Sequence, residues 1–545
     1  ASPMRFLLAL LLLVPASAFA QDSGGPLVPE QAAYDVTYYG LDVAVHPKHQ
    51  RIDGTLTMHA AVVQPLEYMV LNLDHRLSIE RVWLADTPTR HLSVERRDNA
   101  SGRNNEVRIA LPNIRRPGDR VHIQIAYSGA PRVAPRAPWD GGFSWEQTPN
   151  GASWIATSCQ TIGADVWWPM KDHPSDEPDS MDIAVTVPKP LRTASNGVLR
   201  NVSTTDSTRT DHWHVSTSIN PYTVALNIAP YVRLDTTHTS PDGGTMPVSF
   251  YALPNDSSRA RNALPHFLEH VQFLEETLTP YPFRTDKYGI AQTPFLGMEH
   301  QTIIAYGNNF RLNGGLGYGA GFDALHFHEL AHEWFGNCLT VRDWKDFWLH
   351  EGFATYMEAL YAEHLHGSSG YRTVIQHNAS RFAGNTPIAY AHATTAQDVY
   401  SGDVYFKGAL VLHTLRYLLG DADFRETLRR FVTGGADAST AACRHVTTAD
   451  FVQVAETVSG QPLDGFFRVY LYQAALPRLV TQRSGGTLTL RWANVGDAPF
   501  RVPIPVSVNG TIHRVPMNGG SGTLDVPADA DIALDPDGWL LRDAG

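Results

Sequence analysis

The chain is 545 residues long with 43% hydrophobic side chains, too long for one ordinary domain and apolar enough for several buried cores. Its formal net charge of -12 excludes nucleic acid as the main partner, because a phosphate-binding surface needs a basic excess and no block of lysines and arginines supplies one. The three cysteines, Cys159, Cys338 and Cys443, are odd in number and widely spaced, which excludes a disulfide framework as the basis of the fold; they read as small buried residues, with one pair left open.

In chain order, residues 1–20 read as an export signal. Met4-Arg5 leads the apolar run Phe6 to Val14, and the small residues Ala18 and Ala20 suit cleavage before Gln21. The run is far shorter than the ~20 residues of a membrane span, so an exported protein, periplasmic or secreted and without stable membrane insertion, is expected. From 34 to 228 apolar residues alternate, as in Leu41, Val43, Val45 and in Val121, Ile123, Ile125, with Gly, Pro, Asn and Asp between the runs. That pattern predicts an N-terminal antiparallel β domain over 21–230.

Helical spacing begins only afterwards, with a helix over 258–278. Leu325, His328, His332 and Phe335 form a 3.6-residue stripe that stops at Gly336-Asn337, and a further helix runs from about 348 to 366, ending before Gly367. Amphipathic stretches follow over 408–419, 422–432 and 448–459. These elements predict a mixed α/β domain over 231–475. Beyond about 476 alternation returns in Leu488, Leu490, Trp492 and in Val502, Ile504, Val506, predicting a small C-terminal β-sandwich over 476–545. The fold class is multidomain α+β.

The chemistry is concentrated in His328-Glu329-Leu330-Ala331-His332. Histidines four apart on a helix lie one turn apart on one face, so both imidazoles can reach one metal ion. Glu329 is rotated off that line, a place suited to a general base that accepts a proton from water. A catalytic zinc takes three protein ligands, and Glu351, in Trp348-Leu349-His350-Glu351-Gly352-Phe353-Ala354, is the candidate third. Ala354, Thr355, Glu358, Ala362 and Leu365 share its face, so that face carries two inward carboxylates, costly to bury without a cation. With 24 histidines in the chain a chance short motif is unsurprising, but the added glutamate on its own helical pattern makes the constellation specific. His326 and His350 point to other faces and read as packing residues.

The extended run His328 to Asn337 with Trp348 to Ala354 resembles the zinc aminopeptidase family that includes aminopeptidase N and leukotriene hydrolase, the gluzincin metallopeptidases. Leu296-Gly297-Met298-Glu299-His300 resembles that family's exopeptidase motif, and Tyr405-Phe406-Lys407-Gly408-Ala409 the segment bearing its catalytic tyrosine. The resemblance covers about 34–510. It implies a thermolysin-like catalytic domain holding one Zn2+ per chain on His328, His332 and Glu351, with Glu329 as general base and Tyr405 as oxyanion donor. It further implies that Glu299, with Gly297 and Met298 beside it and Gln160 from the β domain, binds the free amine of a peptide substrate.

Three departures from the family pattern are visible. Gly297 and His300 stand where Ala and Asn are common, Glu333 follows the clamp where Gln is usual, and only about seventy β-patterned residues follow the catalytic region, so a more open cleft is expected. The expected activity is removal of single N-terminal residues from peptides. A thermolysin-like endopeptidase, an epoxide hydrolase and a non-catalytic peptide-binding module are the alternatives; the second is weakly supported, and the last usually lacks ligands or base, which are present here.

Overall fold

The computed structural model describes residues 22–97, 105–312, 319–438 and 441–543. The expected export signal over 1–20 lies outside them. Among the described residues no helix is long and apolar enough to cross a membrane.

The first region is built on a seven-stranded sheet whose centre is Tyr34–His46 paired antiparallel to Arg51–Val62, with Leu41 opposite Leu56. Along the first strand Leu41, Val43 and Val45 are buried while Asp42 is exposed, which is the alternation read from the sequence. The sheet is not wholly antiparallel: Tyr34–His46 runs parallel to Ser180–Pro188, with Leu41 opposite Ile183. Alternation fixes the face of a strand but not its neighbour, so this pair was not visible in the sequence. A four-stranded sheet contains Ser153–Ser158, and the loop leaving that strand carries Gln160 toward the second region.

The second region has a mixed five-stranded sheet in the order Val232–Thr239, Thr245–Ala252, Tyr288–Gln292, Ile304–Tyr306, Gly297–Met298. Its short last strand pairs antiparallel with Ile304–Tyr306 and forms the edge facing the clamp helix. Helices Ser257–Thr277, Ala324–Ala331, Trp348–Arg381, Gly402–Leu419, Asp421–Thr433 and Thr448–Ser459 correspond to the six helical patterns. One more, Asp464–Tyr472, is too short for its period to stand out, although Phe466, Phe467, Tyr470 and Leu471 bury one side of it. The long helix continues past its expected end, broken by Gly367 at φ 63°, ψ -155°, and resumes to Arg381. Leu365, expected on the inward face, is 39% exposed, because the helix leaves the core after Ala362.

After Leu476 two three-stranded sheets follow, one holding Thr487–Ala493 at its centre and the other Ile504–Val508, with Leu490, Trp492, Ile504 and Val506 buried. The segment after them backs the Gly402–Leu419 helix. The His413 ring stacks on Trp539 at 4.8 Å, and the Thr414 hydroxyl takes a hydrogen bond from the Leu541 amide at 3.0 Å.

Two covalent or quasi-permanent ties cross the molecule. Cys338 and Cys443 form a disulfide across 105 residues, the one pair that the sequence left open; among the described residues Cys159 is free and buried. The bond joins the starts of the parallel strands Leu339–Val341 and Arg444–Val446, whose pairing brings the two cysteines together. At the other end of the chain, Ser23 donates its amide to Thr161 at 3.3 Å and accepts from Ala396 at 3.0 Å, and the Gly25 amide donates to Thr394 at 3.1 Å. The Ser23 hydroxyl donates to Asp172 at 2.9 Å and accepts from the Trp344 indole at 3.2 Å.

Candidate metal centre

Asp323 caps the clamp helix, its carboxylate accepting the His326 amide at 3.2 Å, and the eight residues Ala324–Ala331 that follow are all buried. His328 and His332 therefore leave one face together, with their Nε2 atoms 3.1 Å apart. Glu351 Oε2 lies 3.3 Å from each of them. A tetrahedral zinc with bonds of ~2.0–2.1 Å has ligand-to-ligand edges of about 3.3–3.4 Å, so this triangle of two imidazoles and one carboxylate fits such an ion.

The other nitrogens of the clamp are tied down. His332 Nδ1 lies 2.9 Å from the Phe335 carbonyl, which can only accept, so that nitrogen carries the proton and Nε2 is left with its lone pair. The carbonyl is presented by an irregular turn through Gly336 at φ 141°, a backbone state that favours glycine. His328 Nδ1 is 2.8 Å from Glu358, which assigns that inward carboxylate to orienting a clamp imidazole. His326 and His350 stay off the clamp: His326 stacks on Phe267 at 3.7 Å, and His350 Nε2 accepts the Val341 amide at 3.0 Å.

Glu299, Glu329 and His332 form a second group, with donor atoms within 4.8 Å of one another. Burial, then the Glu299 charge, pushes the Glu329 carboxyl well up; burial, with Glu351 adding and His332 opposing, pushes Glu299 up to about 7. Burial also works against the charged form of Glu351, but His332 and His328 beside it outweigh burial and hold it well below the usual carboxylate range. So many carboxylates around two imidazoles form a donor set that calls for a cation. Gly297 explains how close the base comes to the edge strand, since a Cβ there would collide with the Glu329 carboxylate. Met298, next along that strand, is buried and lines the cavity in front of Glu329.

Gln160 reaches the centre from the first region, donating to Glu351 at 2.7 Å and also to Glu299. Tyr222 donates to Glu299 at 3.2 Å. Sequence reasoning missed this tyrosine, which sits buried in a single 3-10 turn, Pro221–Thr223, with nothing local to distinguish it from a core residue. Tyr405 occupies the first turn of its helix, which begins at Gly402, six residues before its apolar period becomes regular. Its ring lies 6.0 Å from that of His328, and its hydroxyl is 3.0 Å from that of Tyr400. Burial first, then Glu351, drives the Tyr405 phenol far up, so it stays protonated and available as a donor. These groups surround a cavity of about 80 Å3 that Trp139 and Leu296 also line.

The departures noted in the sequence sit just behind. Glu333 accepts the Thr302 amide at 2.8 Å, and burial, against that bond, pushes its carboxyl up to about 8. Protonated, it has the hydrogen-bonding shape of a glutamine. His300 is fully buried, and neither ring nitrogen has a partner among the described residues.

Comparison with known proteins points the same way. Residues 35–222 match the Peptidase M1 N-terminal domain and residues 263–470 the Peptidase family M1 domain, together well over half of the chain. Similar relatives include Aminopeptidase M1-C of Oryza sativa subsp. japonica, 25% identical over 61% of this chain and 38% of its own length. Endoplasmic reticulum aminopeptidase 1 of Homo sapiens is 25% identical over 68% of this chain and 40% of its own. The chain thus spans less than half the length of these relatives. Among solved structures, the M1 zinc metallopeptidase from Deinococcus radiodurans superposes with a TM-score of 0.66 at 24% identity, over 82% of this chain and 95% of that one.

Proposed function

The chain belongs to the M1 peptidase family, and on that premise we propose that it is an exported zinc aminopeptidase that hydrolyses the first peptide bond of peptides with a free N-terminus. His328, His332 and Glu351 hold the zinc. When bound, zinc supplies Lewis acidity toward water and the substrate carbonyl. Glu329 takes the proton from the attacking water and delivers it to the leaving amine. Tyr405 donates its hydroxyl to the oxyanion that forms on the first carbonyl.

The observation that carries the reading is the position of Glu299. It is buried, held by Gln160 and Tyr222, with an oxygen within 4.8 Å of donor atoms of Glu329 and His332. An ammonium group paired with Glu299 brings the carbonyl two bonds away up against the base and the ligand set. An internal peptide bond has no such group and is left misplaced. Gln160 spans Glu299 and Glu351, so the amine site and the ligand set keep one spacing.

Export is supported by the leader-like residues 1–20 and by the Cys338–Cys443 bond, since disulfides persist in oxidising compartments. Fractionation of cells expressing the full sequence, with the N-terminus of the recovered protein determined, tests that part; protein retained in the cytoplasm with residues 1–20 attached counts against it.

The activity is tested with a panel of aminoacyl-arylamides, with and without a zinc chelator, and with matched free and acetylated peptides. Turnover of the free forms that is lost on chelation and regained with zinc is expected. Efficient cleavage of the acetylated peptides would refute the aminopeptidase reading in favour of an endopeptidase.

A further inference from the structure

Residues 299–303 link the edge strand Gly297–Met298 to its neighbour Ile304–Tyr306. Within this link Thr302 is fully buried with φ 60°, a left-handed backbone that a β-branched residue keeps only where its surroundings hold it. Two groups on different elements do so. The Thr302 amide donates to Glu333 at 2.8 Å, and the Thr302 hydroxyl accepts the Gly197 amide, from the first region, at 2.8 Å.

The residues around Thr302 are tied as well. The Asn196 side chain donates to the Gln301 carbonyl at 2.7 Å; the Asn337 side chain donates to the Glu299 carbonyl at 3.0 Å and to Glu333 at 3.4 Å. Glu299 is therefore fixed twice, its carboxylate by Gln160 and Tyr222 and its backbone by Asn337 and the Thr302 turn. Glu333 directly follows the ligand His332 and is fully buried behind the cavity that Glu299 lines. From there it acts on the reaction only through the turn it holds.

Resting on the aminopeptidase reading above, we propose that Glu333 is a positioning residue for amine recognition: by accepting the Thr302 amide it holds the turn that carries Glu299, and so fixes the distance from the substrate's ammonium group to the metal ligands. With the acceptor gone, the Thr302 amide is buried without a partner, the left-handed turn loses one of its two holds, and Glu299 drifts from its register with the clamp. The acceptor oxygen does this, whatever the charge of the group that bears it. The departure noted at this position, Glu for Gln, keeps such an oxygen.

The zinc-loaded full chain is titrated calorimetrically with alanine hydroxamate and with propanohydroxamate, which share the metal-binding group and differ only in the α-amine. The wild type should bind the amine-bearing compound about tenfold or more tightly. Glu333→Leu, which removes the acceptor at similar volume, should cut that ratio by about fivefold or more and leave both the zinc content and the affinity for propanohydroxamate unchanged. Glu333→Gln should keep the ratio within about twofold of wild type. A ratio that survives Glu333→Leu overturns the proposal, as does one lost equally in Glu333→Gln, or a weakening shared equally by the two compounds. Where Glu333→Leu does not fold, Glu333→Asn, one methylene shorter, withdraws the acceptor from the Thr302 amide but keeps a polar group, and the same ratio decides; misfolding of both assigns Glu333 to the fold alone and overturns the proposal too. A wild type that binds the two hydroxamates equally overturns the amine-binding reading of Glu299, and this proposal with it.

Discussion

Glu329 and Glu358 both sit beside the histidine pair, but only Glu358 is bonded to it, at 2.8 Å from His328 Nδ1. Their replacements should therefore fail in different ways. Glu329→Gln removes the proton acceptor and leaves the ligands intact; kcat should fall by about 10²–10⁴ while the zinc content of the purified protein stays at one per chain. Glu358→Gln frees the His328 ring, and zinc affinity, measured by competition with a chelator, should weaken about 10–100-fold. Zinc lost from the first variant, or an undiminished affinity in the second, would reverse these roles. The residue scale was the most legible in the sequence: helix geometry is local and puts His328 and His332 on one face, while Glu351, on another helix, was named as the third donor by its motif and the family resemblance. Tyr222 was not legible, since its approach to Glu299 across 77 residues depends on how two regions of the chain dock.

The helix that carries Glu351 and the helix that carries Tyr405 meet at two glycines. A Cβ on Gly408 would lie 2.7 Å from the Gly352 Cα, and one on Gly352 would lie 2.9 Å from the Gly408 Cα. Backbone touches backbone, and this contact sets the depth of Tyr405 relative to the ligands. Gly408→Ala must push the helices apart at a cost of about 1–3 kcal/mol. A fall in kcat larger than the fall in melting temperature would explain, with secondary structure retained by circular dichroism, and unchanged kcat would show that the tyrosine does not depend on this contact. Periodicity located six helices because their buried faces repeat every turn. It missed the start at Gly402, where Asp403 faces inward to accept the Ala383 and Asn385 amides at 2.9 and 3.0 Å instead of continuing an apolar stripe. The parallel strand pair was missed and the disulfide left unassigned for a related reason, as both are facts about partners far away in sequence.

Across the whole molecule, several histidines are buried in the neutral form. Burial holds His173 at about 4, His270 at about 3 and His413 at about 4. The unfolded chain takes up these protons near pH 6.5, so between that value and about pH 3–4 the unfolded state binds more protons than the folded one. The contribution of these histidines is therefore full above about pH 6.5 and is lost as acid is added, by at most ~1.4 kcal/mol per pH unit for each, while buried carboxyls pushed up in the fold, Glu299 and Glu333 among them, act in the opposite direction. Urea unfolding at about pH 7.5 and about pH 5 should show His413→Gln more stable relative to wild type at the lower value than at the higher; the same difference between the two proteins at both values would contradict the assignment. Cys443→Ser opens a covalent loop of 105 residues and should cost about 2–4 kcal/mol, read as a lower melting temperature that reductant no longer changes.

Under the proposed activity, a solution of this protein contains substrates in its own chain ends. To be trimmed, an end must extend into the buried cavity of another copy and present its amine there. Here the backbone from Ser23 to Gly25 is already committed to Thr161, Thr394 and Ala396, and the Ser23 side chain to Asp172 and Trp344. Releasing that segment means separating it from both large regions of the fold at once. Trimming by neighbouring copies should therefore halt at this seam, which Asp22 joins by accepting the Gln397 amide at 3.0 Å. A concentrated preparation should settle to one N-terminal mass and hold it, its own architecture serving as resistance to cannibalism.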